Sequence, residues 1–350
     1  MVSIPPLCRR GQRSTEMSEA RKWVTMGDVA ARAGVGTITV SRALRTPGKV
    51  SPTTLAKVQK AVAELGYVLD ETAGALSSQR SRIVGALVST LEESVFATTL
   101  RGLSEGLAEG GLQLLLSATQ YDPETEAALI PTLLGRRPEA LVLTSDRHTP
   151  DARALLERAA LPVLELWDLP ERPVHVAVGF SNRAAGSAMT RHLIDTGRRR
   201  IAFVGLDRAH DSRGHLRLAG YRDCLRELSD ERVLLLPPRR GATGPDYGAQ
   251  GLREVLRRWP DTQALICVSD TLAAGAWCEA MRAGLPVPDR IALTGFGDFD
   301  MAGSSGLALT TIRIDGAAIG RRAAELILSG DMERGTRIDL GFSLIRRASS

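Results

Sequence analysis

The chain has 350 residues, 43% of them apolar and 24% charged, with a formal net charge of +5. That length supports two or three domains with sizeable cores, and no apolar run approaches the ~20 residues that span a bilayer. The charge is uneven: residues 1–80 carry 12 Lys/Arg against 6 Asp/Glu and the rest carry 33 against 34, so a basic head on a neutral body points the head at a polyanion.

Residues 1–22 contain Arg9, Arg10 and Arg13 but no apolar core, so they do not read as a secretory signal. They are expected to be a disordered extension, with Met17 as a plausible internal start. Cys8, Cys224, Cys267 and Cys278 show no metal or redox spacing. Cys267 and Cys278 lie in apolar stretches and are expected to be small core residues, which fits a reducing, cytoplasmic setting.

Residues 25–45 describe two short helices joined by a tight turn. Thr25 is placed to cap the first, with Asp28 as its capping-box partner. Val29, Ala30 and Ala33 form an apolar stripe at helical spacing. Gly34 supplies the turn, Val35 tucks back, and Thr37 is expected to cap the second helix. In that helix Val40, Ala43 and Leu44 face inward, leaving Thr37, Ile38, Ser41 and Arg42 outside. This is a helix-turn-helix pattern, whose second helix enters the major groove of DNA. Ser51 caps a third helix with Pro52 at its first position, and Leu55, Val58, Val62 and Leu65 form its buried stripe before Gly66. The head is set at residues 23–68 and a small, polar linker at 69–81.

From residue 82 strands and helices alternate. Ile83–Val88, Gln113–Ser117, Ala140–Thr144 and Pro162–Leu166 read as buried strands, with helices over Phe96–Glu109 and Glu124–Leu134. The alternation resumes with helices Arg183–Thr196, Leu216–Leu228, Gly248–Arg258 and Thr271–Ala283. Between them lie strands Ile201–Val204, Val233–Leu236, Ala264–Val268 and Ile291–Gly295. Continuous apolar strands between helices predict parallel sheets covered on both faces. The body, 82–350, is too long for one such sheet and is read as two lobes. Lobe 1 takes about 82–180 and 310–338, and lobe 2 about 181–309 and 339–350. A small ligand is expected in the cleft between them, at the carboxyl ends of the strands.

Several ordered motifs resemble the lactose-repressor (LacI/GalR) family over residues 24 to about 347. In the head they are Val24-Thr-Met-Gly-Asp-Val-Ala, Thr39-Val-Ser-Arg-Ala-Leu, Val50-Ser-Pro-Thr-Thr and Glu64-Leu-Gly-Tyr. In the body they include Arg191-His-Leu-Ile-Asp-Thr-Gly, Arg217-Leu-Ala-Gly-Tyr, Ser269-Asp-Thr-Leu-Ala-Ala-Gly-Ala and Leu309-Thr-Thr-Ile-Arg. The resemblance implies a three-helix head, a hinge helix and a two-lobed periplasmic-binding-protein-like α/β body. It also implies a homodimer or tetramer on near-palindromic operator DNA, with a small-molecule effector that changes operator affinity. No leucine heptads follow Ile345, which favours a dimer. His148-Thr-Pro, Val163-Leu-Glu-Leu-Trp-Asp and Ala177-Val-Gly-Phe-Ser-Asn resemble gluconate-operon repressors within the family, which suggests gluconate or a related sugar acid as effector.

On this resemblance Thr37 and Ile38 are placed at base edges, where Ile38 suits a thymine methyl. Arg42 suits guanine bidentately, with a phosphate contact as its alternative. Thr25, Ser41, Lys49 and Thr54 fall where phosphates set register, and Arg45 can do either. Ala73 and Leu76 fall in the hinge, Leu76 matching the family's minor-groove wedge. Leu69-Asp70 replaces the family's usual Pro-Asn and Gly74 its frequent Arg, so a hinge that orders less readily is expected.

For the effector, Arg217 is expected to pair with a carboxylate or vicinal hydroxyls, and Asp270 to accept hydrogen bonds from ligand hydroxyls. Phe96, Trp167, Asp168, Phe180, Asp246 and Tyr247 are the remaining candidates. The alternative for Arg217 and Asp270 is a structural ion pair, and for Trp167, Phe180 and Tyr247 ordinary packing. No cofactor or metal is expected. An enzyme is disfavoured, because no Walker loop, Rossmann fingerprint, His-Glu-x-x-His or nucleophile elbow is present. A periplasmic binding protein is disfavoured by the DNA-reading head.

Overall fold

The computed structural model describes residues 24–69, 81–91, 94–145, 147–208, 210–228, 230–304 and 306–350. The expectations for the extension 1–22, for Cys8 and Met17, and for the hinge residues Asp70, Ala73, Gly74 and Leu76 lie outside these residues. The chain divides into two units, residues 1–79 and 80–350.

In the first unit, helix α1 spans Met26–Ala33. Thr25 donates to Asp28 Oδ2 through its backbone N–H at 2.8 Å and its hydroxyl at 2.7 Å, and Asp28 N–H returns to Thr25 Oγ1 at 3.3 Å. This capping box satisfies amides that the first helical turn leaves without partners. Gly34, at φ 67°, ends α1 in the left-handed region that costs glycine least. Helix α2, Thr37–Arg45, is capped by Gly36 and not by Thr37, which is its first helical residue. The turn is one residue tighter than the expected Thr cap, and no side chain covers the first amides of α2. Helix α3, Pro52–Leu65, is capped by Ser51 Oγ, which accepts from Thr54 N at 3.3 Å. Val29, Ala30, Val40, Ala43, Val58, Ala61 and Tyr67 form a small core, near the lower size limit for independent folding.

The second unit opens with β1 (Ile83–Val88), α4 (Ser94–Glu109), β2 (Gln113–Ala118), α5 (Pro123–Leu134) and β3 (Ala140–Leu143). It continues through α6 (Pro150–Arg158), β4 (Val163–Leu166) and β5 (Val176–Gly179). The chain then enters the other lobe with α7 (Asn182–Asp195), β6 (Ile201–Leu206), α8 (Ser212–Arg222), β7 (Arg232–Leu236) and α9 (Gly244–Arg258). That lobe is completed by β8 (Ala264–Cys267), α10 (Asp270–Arg282) and β9 (Ala292–Thr294). The last elements are β10 (Thr311–Arg313), α11 (Gly316–Ser329), β11 (Thr336–Asp339) and β12 (Ser343–Ile345).

Lobe 1 is built on a six-stranded parallel sheet, ordered β11-β5-β4-β3-β1-β2, and lobe 2 on a four-stranded parallel sheet, ordered β7-β6-β8-β9. The antiparallel ribbon β10·β12 joins them. The interior strands β1, β3, β4, β6 and β8 are almost wholly buried, as strands covered by helices on both faces must be. No described helix is long and apolar enough to cross a membrane.

Three helix pairs approach backbone to backbone through reciprocal glycines. A β-carbon on Gly186 of α7 would stand 2.2 Å from the Arg217 carbonyl oxygen of α8, and one on Gly220 of α8 would stand 2.1 Å from the Arg183 carbonyl oxygen of α7. Gly102 and Gly320 do the same for α4 and α11, and Gly248 and Gly275 for α9 and α10.

Several expectations change. The helix read from Leu216 begins at Ser212, where Asp211 caps it by accepting from Gly214 N at 3.0 Å, and it ends at Arg222 before a short 3-10 turn. The helix read from Gly248 begins at Gly244, behind a Thr243–Asp246 capping box. Helices α6 and α11 and strands β5 and β11 were not among the expected elements. Cys267 is buried as expected, but Cys278 is exposed, because it lies on the outward side of α10.

Candidate functional site

The head presents one polar, basic face. Thr37, Ile38, Arg42, Arg45 and Lys49 are exposed and Ser41 is partly so, opposite the buried Val40 and Ala43. Ile38 is 68% exposed, unusual for an isoleucine on a short amphipathic helix. Residues 37–49 contain three cations and no acid. Thr25 is exposed, with its hydroxyl proton directed to Asp28. Thr54 is partly exposed and shares a 2.9 Å hydrogen bond with Ser51. Side chains of this type on a protruding helix can meet base edges and phosphates.

The second unit has a cleft of about 520 Å³ at the carboxyl ends of its two sheets. Phe96 at the start of α4, Tyr121 before α5 and Trp167 after β4 line it from lobe 1. Arg208, Arg213, Arg217, Tyr247, Phe296 and Phe299 line it from lobe 2. Trp167 adopts φ 80°, a left-handed conformation that costs a non-glycine residue roughly 1 kcal/mol or more. Its ring is held edge-on to Phe96 at 5.4 Å and to Phe180 at 5.9 Å, and its Nε1 donates to Thr99 Oγ1 at 3.1 Å. Phe180 in turn stacks on Phe296 at 6.0 Å.

A guanidinium lies at each end of this aromatic row. Arg213 Cζ is 5.2 Å from the Phe96 centroid, and Arg217 Cζ is 3.5 Å from that of Phe296. Arg217 donates to Asn182 Oδ1 at 3.0 Å and to the Val268 carbonyl at 2.7 Å. Asn182 Nδ2 donates onward to the Trp167 carbonyl at 3.1 Å. Arg213 and Arg217 are four residues apart on α8, so they share one helix face. Arg208 adds a third guanidinium, while Asp211, the one carboxylate among the described lining residues, serves as the α8 cap. Among the described residues the lining thus sets guanidiniums beside aromatic faces, a combination that can meet an anion with one apolar face.

Of the expected effector residues, Phe96, Trp167, Arg217 and Tyr247 line this cleft. Asp168, Phe180, Asp246 and Asp270 do not. Asp270 is wholly buried at the start of α10, where its carboxylate accepts from Phe299 N at 2.8 Å and from Thr311 Oγ1 at 2.6 Å. Burial pushes its carboxyl up to about 6, against the lowering effect of those two bonds. It holds the wall that carries Phe299 and is turned away from the cleft. Asp168 is buried and accepts from Leu169 N at 2.8 Å. Phe180 sits behind Trp167 and Phe296 with no exposed surface. Asp246 belongs to the Thr243 capping box, whose bonds hold its carboxyl below the usual range. It faces an outer hollow with Arg239, Arg240 and Arg253.

Sequence reading missed Arg213, Tyr121, Asn182 and Phe296. For Arg213 the signal was available: it precedes Arg217 by one helical turn, but a helix begun at Leu216 leaves it in a loop.

His148 and Glu165, from the segments compared with gluconate-operon repressors, occupy a buried cluster beneath the lobe 1 wall. His148 Nδ1 lies 2.5 Å from Glu126 Oε1 and its Nε2 lies 3.2 Å from Glu165 Oε1, with all three side chains at most 2% exposed. Burial acts to lower the His148 pKa, but the bonds and charges of the two glutamates outweigh it and push it up to about 9. Among the described residues no group of His, Cys, Asp and Glu is arranged to hold a metal ion.

Residues 25–70 match the family described as bacterial regulatory proteins, lacI family, and residues 81–345 match periplasmic binding proteins and sugar binding domain of LacI family. The chain is 36% identical to the HTH-type transcriptional regulator GntR of Pseudomonas aeruginosa, over 93% of this chain and 95% of that protein. A LacI family transcriptional regulator from Silicibacter pomeroyi superimposes with a TM-score of 0.84 at 32% identity, covering 93% of this chain and 99% of the other. The lac repressor dimer bound to operator and an anti-inducer superimposes with a TM-score of 0.76 at 25% identity, covering 94% and 99%.

Proposed function

Since the chain belongs to the LacI family and is a DNA-binding transcriptional regulator, we propose that it is a repressor released from its operator by a small sugar acid, with gluconate the first candidate. The observation that carries this reading is the set of three arginines that line the cleft, where the one carboxylate among the described lining residues, Asp211, caps α8. A guanidinium fork matches a carboxylate bidentately, and the Phe96–Trp167 corner offers an apolar face to the carbon chain of a polyol. In this reading Arg217 holds the carboxylate, and Phe96, Trp167 and Tyr247 shape the cleft around the hydroxyls. The same charge favours a phosphorylated sugar acid as the second candidate. Thr37, Ile38 and Arg42 would read base edges, while Thr25, Ser41, Lys49 and Thr54 would fix register on phosphates and Arg45 would serve either role. One head covers a single half-site, so a homodimer on near-palindromic DNA is the expected working form. The lac repressor, to which this chain is similar, is a dimer on its operator.

The test is calorimetric titration with D-gluconate, followed by binding to an operator selected from random DNA, with and without gluconate at fixed salt. Saturable binding that weakens operator affinity supports the proposal. Gluconate binding that strengthens operator affinity replaces release with corepression. No binding of gluconate or of phosphorylated sugar acids, with DNA binding intact, removes the sugar-acid reading.

A further inference from the structure

Asn182 is fully buried and bonds to a residue on each wall of the cleft. It is the first residue of α7, where the chain passes from lobe 1 into lobe 2, and Ser181 caps that helix by accepting from Ala184 N at 3.1 Å. Its Oδ1 accepts from Arg217 Nε at 3.0 Å, and its Nδ2 donates to the Trp167 carbonyl at 3.1 Å. Gly186, one turn further along α7, lets the Arg217 backbone approach closely and so brings that arginine within reach. The place calls for a side chain that accepts from a cation and donates to a carbonyl at once. A carboxamide does both, whereas a carboxylate has no proton for the Trp167 carbonyl and an ammonium has no lone pair for the guanidinium. Turning the amide over would set donor against donor and acceptor against acceptor, so its two partners fix its orientation. The Trp167 backbone, left-handed at φ 80°, is held from both sides: its N–H donates to the Val178 carbonyl at 3.1 Å, and its own carbonyl accepts from Asn182.

We infer that Asn182 is a positioning residue that couples Arg217 to Trp167, so that the guanidinium on one wall of the cleft and the indole on the other are set as one unit. Its part in effector affinity rests on the sugar-acid reading of the cleft. A buried amide bonded on both sides cannot turn toward or away from Arg217 without changing its bond to the Trp167 carbonyl, and a buried polar group that loses a partner is costly. A ligand that meets Arg217 with its carboxylate thereby adjusts the apolar corner that receives its carbon chain. A second route joins the same two residues through the rings of Phe296 and Phe180. Ring contacts tolerate small slides that the narrower geometry of a hydrogen bond does not, so the amide carries the larger share.

The test uses full-length protein and begins without a ligand. The chain has four tryptophans, so isotope labelling of tryptophan gives one indole N–H resonance for each, and Trp167→Phe identifies that of Trp167. Arg217→Met should shift this resonance, and the shift should fall about threefold or more when the same change is made in Asn182→Ala. An equal shift in both backgrounds places the coupling in the Phe180–Phe296 row, and no shift in either means that the walls are independent; both results overturn the proposal. Asn182→Asp, which keeps the shape and the acceptor but has no donor for Trp167, repeats the comparison should the alanine variant not fold. With D-gluconate, calorimetry should show Asn182→Ala weakening binding about tenfold beside Arg217 and about threefold or less beside Arg217→Met. Equal losses would mean that Asn182 acts without Arg217, which overturns the positioning role while the sugar-acid reading stands. If the wild type binds no gluconate, that reading loses its first candidate, and the indole resonance decides the coupling by itself.

Discussion

The Arg217 guanidinium carbon lies 3.5 Å from the centre of the Phe296 ring while its nitrogens bind Asn182 and the Val268 carbonyl. The side chain is thus oriented before any ligand arrives, by a ring beneath it and acceptors at its edge. Preorganisation of this kind lowers the cost of ordering on binding. Arg217→Met should weaken D-gluconate binding by about 100-fold or more, near 3 kcal/mol. Arg217→Lys should fall between, because an ammonium cannot bridge both acceptors. Calorimetry checks both, and an unaltered affinity in the methionine variant would remove Arg217 from the site.

Gly186 sits against the Arg217 backbone. Gly186→Ala must push α8 away from α7, and overpacking of this kind typically costs about 1–3 kcal/mol. Because α8 carries both Arg213 and Arg217, effector affinity should fall together with the urea midpoint. A variant with normal affinity and normal stability would show that the helices yield freely here.

His148 lies between Glu126 and Glu165 out of water. Its pKa rises from 6.5 to about 9 on folding, so the protonated form is favoured in the folded body. Its contribution, of order 3 kcal/mol, is fully present below about pH 6.5 and is lost as pH rises through 9. His148→Gln leaves two buried carboxylates without their cation and should lower stability by roughly 3–5 kcal/mol at pH 6. The gap between wild type and variant should narrow by pH 10, which urea unfolding at both pH values measures. A gap independent of pH would mean that the histidine is neutral in the folded protein.

On the head, Arg42→Ala should cost about 1–3 kcal/mol against the selected operator and relax preference at one base pair. Lys49→Ala should weaken all sequences alike and reduce the salt slope by about one. The reverse pattern, read by fluorescence anisotropy at several salt concentrations, would exchange their roles.

Thr25→Ala removes one side of the α1 capping box and should destabilise the head by about 0.5–2 kcal/mol. Thermal unfolding followed by helical circular dichroism of residues 24–69 as a fragment tests this if the fragment folds. In the full chain, amide exchange of α1 reports the same loss.

What could be read in advance was what depends on neighbours in sequence. The Thr25–Asp28 and Ser51 caps, the Gly34 and Gly66 stops, and the apolar strands β1, β3, β6 and β8 are all local signals. Helix α11 was missed because Gly316-Ala-Ala-Ile-Gly-Arg-Arg-Ala-Ala is rich in small residues. Glycine and alanine there suit the close contact with α4, a requirement set by a helix far earlier in the chain. Strand β11 was missed because Thr336-Arg-Ile-Asp is polar, as an edge strand can be. The inward turn of Asp270 is not legible for a different reason. A carboxylate after a buried strand can face the cleft or face inward, and the bonds that turn it inward come from Phe299 and Thr311, 29 and 41 residues away. The capping role of Asp246 was legible in advance, since Thr243-x-x-Asp246 before a helix is itself a capping signature.

The lobe 1 sheet borrows its outermost strand, β11, from residues 336–339, and the ribbon that joins the lobes needs β12 at residues 343–345. Among the described residues the head draws its core from within 24–69. At about 5–20 residues per second, a ribosome takes roughly 15–55 s to travel from the end of one to the end of the other. Each newly made molecule therefore passes through a period in which its DNA-reading part is complete and its effector cleft is not.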